Sequence, residues 1–314
     1  MYIKIKAIMS KIKSISSELT ERLNWLVCLG DLFSSYKKNK NDQFYTAIKK
    51  AEIHNPWFSE KNINTSINYW QSKLKLKNIN GWISKYKIIE TPPIQVGVVM
   101  AGNFPFAGLH DLICVIISGN IALVKPSKSD KILIDYVIDY ICNKFPMSKH
   151  YIIKSEILKK FDKVIATGSN NTFRYFEYYF RKKPNILRKS RTSVAILEND
   201  TNKDSLRLLA KDIFTYFGLG CRNVSKLFIP IGFDIKKIIN EFEEFEEIQI
   251  HHKYSNNLNY YKTIKILNNE KFIDGDFFLM SESKSFTPPI SEIYYEFYEN
   301  KKELIKYLKT KSDN

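Results

Sequence analysis

The sequence has few cysteines, and they lie far apart. The four thiols stand at Cys28, Cys114, Cys142 and Cys221. No CxxC pair and no Cys/His zinc-ligand motif occurs, so the pattern indicates no metal site. Isolated thiols are typical of a reducing compartment, which predicts a cytoplasmic protein.

Long apolar runs are also missing. No stretch approaches the roughly 18 consecutive apolar residues of a membrane-spanning helix, so the sequence predicts no membrane span. At the N-terminus, MYIKIKAIMSKIKSI, lysines interrupt every apolar run before the hydrophobic region of a secretory signal can form. This pattern again predicts the cytoplasm.

Neither of two common binding motifs is present. No GxGxxG follows a predicted strand, so the usual dinucleotide fingerprint is absent. The net charge of +16 comes with no nucleic-acid recognition motif, and its lysines are spread through Asn-, Ile- and Tyr-rich segments such as YKKNKNDQF. We therefore predict no nucleic-acid partner; the rival hypothesis requires a steeply salt-dependent affinity for DNA or RNA.

The sequence has enough apolar residues to form a hydrophobic core. Hydrophobic residues make up 44% of the 314 residues and aromatic residues 14%, enough apolar surface to offset the entropy cost of ordering the chain. At this length we expect two domains or one large α/β unit.

The apolar pattern changes near Pro92 and Pro93. Before them the chain has the spacing of amphipathic helices, whereas from Ile94 short apolar runs alternate with helical stretches. This alternation predicts parallel βαβ units. Because such sheets bind ligands at the carboxyl ends of their strands, the informative segments are those that follow each run. They are AGNFPF, KPSKSD, TGSNN and the glycines before Cys221.

Two of these segments have groups that suit a phosphate or ribose. Lys125 ends a strand beside Ser127, and their ammonium and hydroxyl groups can donate to such a ligand. A lysine-rich surface loop is the simpler interpretation. Gly168 and Ser169 stand where a strand leads into a helix, which suits either an anion or a glycine turn with a serine N-cap.

Asn103 and Cys221 are the candidates for chemistry. An amide after a buried strand, in a turn with Gly102 and Pro105, can donate to an oxyanion, although Asn is ordinary in turns. Cys221 lies in a Gly-x-Gly-Cys-Arg turn, where backbone N–H groups and Arg222 can stabilise a thiolate. The other three cysteines lie in apolar helical patterns and are interpreted as packing residues.

Several segments in chain order resemble the acyl-CoA reductase family typified by the reductase subunit of bacterial luminescence, a branch of the aldehyde dehydrogenase superfamily. They are GVVMAGNFPFAGLHDLICVIISGN, ALVKPSKSD, VIATGSNNTFRYF, SRTSVAILEND and FGLGCRNVSKLFIP. The similarity extends from Ile94 to Glu299 and is weaker over the first ninety residues. It implies an α/β, aldehyde dehydrogenase-like fold of two Rossmann-like parallel-sheet domains with a helical N-terminal segment.

The resemblance also implies a division of the chain. Residues 1–90 are expected to form the helical N-terminal part of the cofactor domain, 91–198 the cofactor-binding domain and 199–314 the catalytic domain. The family's C-terminal tail is expected to be missing. The oligomeric state is not determined by the sequence, and a homo-oligomer is compatible with it.

Roles for single residues follow from the same resemblance. Cys221 is the acyl-accepting nucleophile, and Asn103 donates to the oxyanion beside the Cys221 backbone N–H. In LRKSRTS, Arg188 or its neighbours replace the glutamate with which hydrolytic aldehyde dehydrogenases activate water, so a thioester can persist.

The cofactor implied is NADPH. The resemblance places Lys125 and Ser127 near the adenosine ribose or its phosphate, and Gly168 and Ser169 near the pyrophosphate. KPSKSD has no acid directly after Lys125, which suits a 2′-phosphate.

The resulting hypothesis is NADPH-dependent reduction of a long-chain fatty acyl-CoA to its aldehyde through a cysteine thioester. One alternative is an acyl-phosphate or semialdehyde reductase of the same superfamily. Another is a catalytically inert remnant that serves as a binding subunit.

Overall fold

The chain divides into two compact units, one ending at Ser190 and the other beginning at Arg191. The structure is a computed structural model and describes residues 17–36, 43–89 and 91–312. Each unit contains one five-stranded sheet.

The first unit begins with helices that bury one apolar face each. In α1, the fully buried residues Leu23, Leu26 and Phe33 recur at helical spacing, which is why this segment folds as an amphipathic helix. The helices are α1 (Ser17–Ser35), α2 (Gln43–His54), α3 (Glu60–Lys73) and α4 (Leu76–Ile83). They share one apolar core with the sheet that follows.

The sheet of the first unit is parallel throughout. Its strands are β1 (Gln95–Val99), β2 (Ile121–Lys125), β3 (Ile152–Lys154), β4 (Lys163–Thr167) and β5 (Asn185–Arg188), in the order β3-β2-β1-β4-β5. The connecting helices are α5 (Leu109–Ile117), α6 (Lys131–Lys144) and α7 (Asn170–Phe180). Because β1 pairs with both β2 and β4, the turns after these three strands lie side by side at one edge.

In the second unit, a mixed sheet packs against a core rich in aromatic rings. Its strands are β6 (Ser193–Ile196), β7 (Val224–Pro230), β8 (Ile273–Asp274), β9 (Leu279–Glu282) and β10 (Glu292–Tyr298), in the order β6-β7-β10-β9-β8. The β8–β9 pair is antiparallel and the others are parallel. Its helices are α8 (Lys203–Phe214), α9 (Lys236–Phe242), α10 (His252–Leu267) and α11 (Lys301–Ser312). Phe214 contacts four other phenylalanine rings at the centre of the core.

The predicted α/β class, with two sheets dominated by parallel strands and a helical N-terminal segment, is confirmed. The first sixteen residues of that segment lie outside the described ones. One placement differs from the prediction: Ser193–Ile196, expected in the first domain, pairs with β7 in the sheet of the second unit. Within the described ranges, no helix is long and apolar enough to cross a membrane.

Candidate functional site

Two of the predicted segments are in direct contact. The Asn103 turn, residues 100–106, follows β1, and the Lys125 turn, residues 125–130, follows β2. A Cβ atom on Gly102 would stand 2.5 Å from both Cβ and Oγ of Ser127, so only glycine allows this approach. The backbone N–H of Met100 also donates to the Lys125 carbonyl at 3.0 Å. The structure thus brings together the turns that hold Asn103, Lys125 and Ser127.

A hydrogen bond to a buried carboxyl group joins the two turns. Asp130 Oδ2 accepts a hydrogen bond of 2.8 Å from the backbone N–H of Phe106, which has a left-handed φ of 60°. Both residues are only 1% exposed. Burial raises the pKa of Asp130 well above its usual value. Asp130 stands at the N-cap position of α6, but its side chain makes no capping hydrogen bond because it is bound to Phe106.

Lys125 lies at the wall of a large cavity in the first unit. Its side chain is exposed, and the cavity has a volume of about 1020 Å³. Two groups of side chains face the cavity: lysines and aromatic rings. They are Lys125, Lys159, Lys160, Lys182 and Lys183, and Phe161, Tyr175, Phe176, Tyr179 and Phe180. With Asp162 as the acidic group in this wall, the cavity suits a phosphate-bearing ligand with an aromatic ring.

Gly168 and Ser169 form the turn between β4 and α7. Ser169 is the N-cap of α7, and its Oγ accepts from the backbone N–H of Thr172 at 3.3 Å. A Cβ on Gly168 would stand 2.9 Å from the Phe176 ring, so glycine allows α7 to pack closely on the strand end. The exposed Ser169 and the N-terminus of α7 suit an anion.

Arg188 ends β5 next to this turn, and its carbonyl accepts from the Gly168 N–H at 3.1 Å. Its guanidinium Nη1 donates to both carboxylate oxygens of Asp111 at 2.7 Å. Burial acts to raise the pKa of Asp111, but the hydrogen bonds from His110 and Arg188 outweigh it and lower this pKa. The sequence pattern points to Arg188 but not to Asp111, because the two residues are 77 positions apart.

The Cys221 turn, residues 215–223, lies in the second unit. Cys221 is exposed, whereas Cys28 and Cys142 are buried and Cys114 is half-buried. The predicted packing role fits the two buried thiols, while Cys114 has a polar neighbour that the sequence analysis did not predict, His110, whose Nδ1 lies 3.7 Å from Sγ.

Unusual backbone geometry precedes Cys221. Tyr216 and Phe217 have left-handed φ values of 55° and 59°, which cost about 1–2 kcal/mol per non-glycine residue. The Phe217 ring packs on His251, with ring centroids 4.3 Å apart, and this contact helps to hold the turn. Local strain of this kind persists where the surroundings enforce it, and it is common at functional sites.

Asn223 closes the same turn from the other side. Its Oδ1 accepts from the Gly220 N–H at 2.7 Å, and its Nδ2 donates to the Asp212 carbonyl at 2.7 Å. His251 serves as the N-cap of α10, its Nδ1 accepting from the Tyr254 N–H at 3.3 Å. Asn103 and Cys221 belong to different units, and their joint role as oxyanion donor and nucleophile stays a prediction.

Aldehyde dehydrogenases are among the solved structures that the chain resembles in fold. An NAD⁺ complex from Bacillus cereus has a TM-score of 0.62 at 14% identity, covering 96% of this chain and 72% of the other. An NAD⁺ complex from Mycobacterium tuberculosis has a TM-score of 0.64 at 14% identity, and the match covers 93% of this chain and 70% of the other. A substrate-bound enzyme from Staphylococcus aureus has a TM-score of 0.57 at 17% identity, and the match covers 98% of this chain and 77% of the other. At these identities the likeness establishes the fold.

No curated protein matches the chain significantly. The family match is more informative, because it spans residues 84–245, more than half of the chain. It includes the Asn103, Lys125 and Gly168–Ser169 turns of the first unit and the Cys221 turn. The chain therefore has an aldehyde dehydrogenase-like fold and belongs to the LuxC family of acyl-CoA reductases.

Proposed function

We propose that this protein reduces a long-chain fatty acyl-CoA to the aldehyde with NADPH, through a thioester on Cys221. The observation that carries the proposal is the exposure of this one thiol, in a strained turn, within a member of a reductase family. Family membership supports acyl or aldehyde reduction in general; the cofactor, the chain length and the thioester are the specific parts of the proposal.

In the first half-reaction, the Cys221 thiolate attacks the acyl carbonyl carbon. The Asn103 amide and the Cys221 backbone N–H donate hydrogen bonds to the oxyanion, which stabilises the tetrahedral intermediate. The bond to the sulfur of coenzyme A breaks, coenzyme A leaves as its thiolate, and the acyl group stays on Cys221. The hydrogen bonds of Asn223 hold the backbone that carries this N–H.

The first unit offers groups that fit NADPH, which when bound supplies the hydride that reduces the thioester to the aldehyde. Lysines around the cavity of about 1020 Å³ favour the phosphates, and aromatic rings in its wall suit the adenine. Lys125 and Ser127 would hold the phosphorylated ribose. Ser169 and the N-terminus of α7 would hold the pyrophosphate.

The ion pair between Arg188 and Asp111 argues against hydrolysis of the thioester. A water-activating base must be able to accept a proton, but Asp111 is bound through both oxygens by Arg188 and has a lowered pKa. A persistent thioester can then be reduced. The ion pair between Arg188 and Asp111 thus favours reduction over the aldehyde oxidation of hydrolytic relatives.

The test is an assay of cofactor oxidation with tetradecanoyl-CoA and NADPH. Cys221→Ala should abolish turnover, whereas Cys114→Ala, a matched change at a half-buried thiol, should retain it. Equal turnover by Cys221→Ala would refute the mechanism. A panel with acyl phosphates and NADH separates the alternative reductases, because each predicts a different preferred donor.

Iodoacetamide labelling tests the catalytically inert alternative. The proposal predicts that Cys221 reacts fastest of the four thiols in the native protein. Labelling of Cys221 at the rate of the buried Cys28 and Cys142 would favour a binding subunit without catalysis.

A further inference from the structure

Helix α5 presents a polar stripe that the proposed reaction does not use. His110, Cys114 and Ser118 stand one turn apart on the same face, and all three are at least partly exposed. The Cys114 Sγ lies 3.7 Å from His110 Nδ1 and 3.9 Å from its Nε2, within reach of a thiol–imidazole hydrogen bond. Cys114 therefore has an imidazole as its hydrogen-bonding partner.

The surroundings of His110 favour its protonated form. Hydrogen bonds with Asp111 and Cys114 raise the pKa of His110 to about 9. The ring also lies 5.9 Å from the Trp82 ring, which limits how the imidazole can turn. An imidazolium beside a sulfur stabilises the thiolate, which is the form that attacks electrophiles.

Cys114 also lines a second cavity, here called the α5 groove. Its volume is about 350 Å³, more than ten times the roughly 30 Å³ that one water occupies in the liquid. Much of its wall is apolar and comes from α5 and from strands β1, β4 and β5. The apolar residues include Val96, Val115, Val164, Ile165, Pro184 and Ile186. An apolar groove next to a nucleophile suits an electrophile with a hydrocarbon chain.

We propose that Cys114 is a second nucleophilic thiol, which accepts an acyl group from an acyl thioester and holds the acyl chain in the α5 groove. The thiolate attacks the carbonyl carbon, a C–S bond to Cys114 forms, the bond to the donor sulfur breaks, and the donor leaves as a thiolate. No oxidant or reductant takes part. Lys163, exposed in the same wall, adds a cation that favours a phosphate-bearing donor such as coenzyme A.

This inference goes beyond the proposed function, since it requires neither Cys221 nor a cofactor. It is tested in a Cys221→Ala protein incubated with octanoyl-CoA in the absence of NADPH. Mass spectrometry of peptides follows the octanoyl adduct on Cys114, with Cys28 and Cys142 as internal references. We expect Cys114 to be acylated well before these two buried thiols.

Two variants in the same background separate the parts of the site. His110→Asn should slow acylation of Cys114 about tenfold, because the stabilising cation is lost. Ile186→Glu, a change at a side chain that is 53% exposed, should slow octanoyl transfer but leave the rate with the small reagent iodoacetamide unchanged. Thermal unfolding of each variant identifies any general loss of structure.

The proposal is overturned if Cys114 is acylated no faster than Cys28 and Cys142, or if His110→Asn leaves its rate unchanged. If Ile186→Glu slows iodoacetamide as much as octanoyl-CoA, the groove has no role in chain binding. Because Cys221 is absent throughout, these outcomes are independent of whether the reductase reaction occurs.

Discussion

The turns of the first unit and the Cys221 turn of the second are held in different ways. The Asn103 and Lys125 turns are locked by buried contacts, namely the close approach of Gly102 to Ser127 and the bond from Phe106 to Asp130. The Cys221 turn is held by left-handed backbone and the hydrogen bonds of Asn223, with its thiol exposed. Buried contacts suit a preformed binding surface, whereas the Cys221 turn keeps its sulfur accessible at the expense of backbone strain.

The largest effect is expected at Asp130, because a buried carboxylate is the costliest group in either turn. Its raised pKa means that the folded protein holds this proton more tightly than the unfolded chain does. Stability is therefore lost as the pH rises from 3.8, the usual value, through the raised value. Relative to Asp130→Asn, the unaltered protein should become progressively less stable as the pH rises above 3.8, as measured by urea unfolding.

The control for this prediction is Asp162→Asn. Asp162 also accepts a backbone N–H, from Gln95 at 2.8 Å, but it is exposed, so the comparison isolates the effect of burial. Parallel stability curves for Asp130→Asn and the unaltered protein would contradict the assigned role of Asp130.

The second-largest effect on stability is expected at Gly102, and its cause is steric. Gly102→Ala should cost about 1–3 kcal/mol of unfolding free energy, because its new Cβ would overlap Ser127. Adding Ser127→Gly should restore much of this loss. Gly81→Ala is the matched control, since a Cβ there meets no atom within 4 Å and alanine favours the helix. A Gly102→Ala protein as stable as the Gly81→Ala control would show that the two turns do not press together.

The second-unit turn is tested at Asn223. Asn223→Ala removes two hydrogen bonds and should cost about 1–2 kcal/mol, together with most of the acyl-CoA reductase turnover. Asn185→Ala provides the matched control, because the Asn185 side chain also makes two hydrogen bonds to the backbone, both as a donor to carbonyls, but lies in β5 of the first unit. If both variants lose turnover equally, Asn223 has no special role in positioning Cys221.

Local sequence patterns predicted the strand ends and the turns, but not what holds them. A buried apolar run followed by Gly or Pro identifies the end of β1 or β2 without knowledge of the rest of the chain. Asp130 binds Phe106 across 24 positions and Asp111 binds Arg188 across 77, so neither pair leaves a local signal. The short β5 leaves no clear apolar run in the sequence, because its four residues, NILR, are half polar.

The backbone geometry before Cys221 could not be predicted from the sequence, for a different reason. Positive φ is predictable where the residue is Gly or Asn, but Tyr216 and Phe217 are aromatic and normally avoid it. Tertiary packing of Phe217 on His251, which is distant in the sequence, stabilises this conformation. The sequence therefore pointed to Cys221 but not to the strain beside it.

The smallest effect is expected at Ser169, which is the N-cap of α7 and is also proposed to bind the cofactor pyrophosphate. Ser169→Ala removes the N-cap of α7 and should cost about 1 kcal/mol of stability. Ser169→Asp keeps a capping oxygen, so its stability should be near that of the unaltered protein, but its negative charge should repel the cofactor pyrophosphate. Calorimetric titration with NADPH should accordingly show weaker binding for Ser169→Asp than for Ser169→Ala, while thermal unfolding ranks the two variants in the opposite order. If both measurements rank them alike, Ser169 is only a helix cap and the pyrophosphate binds elsewhere.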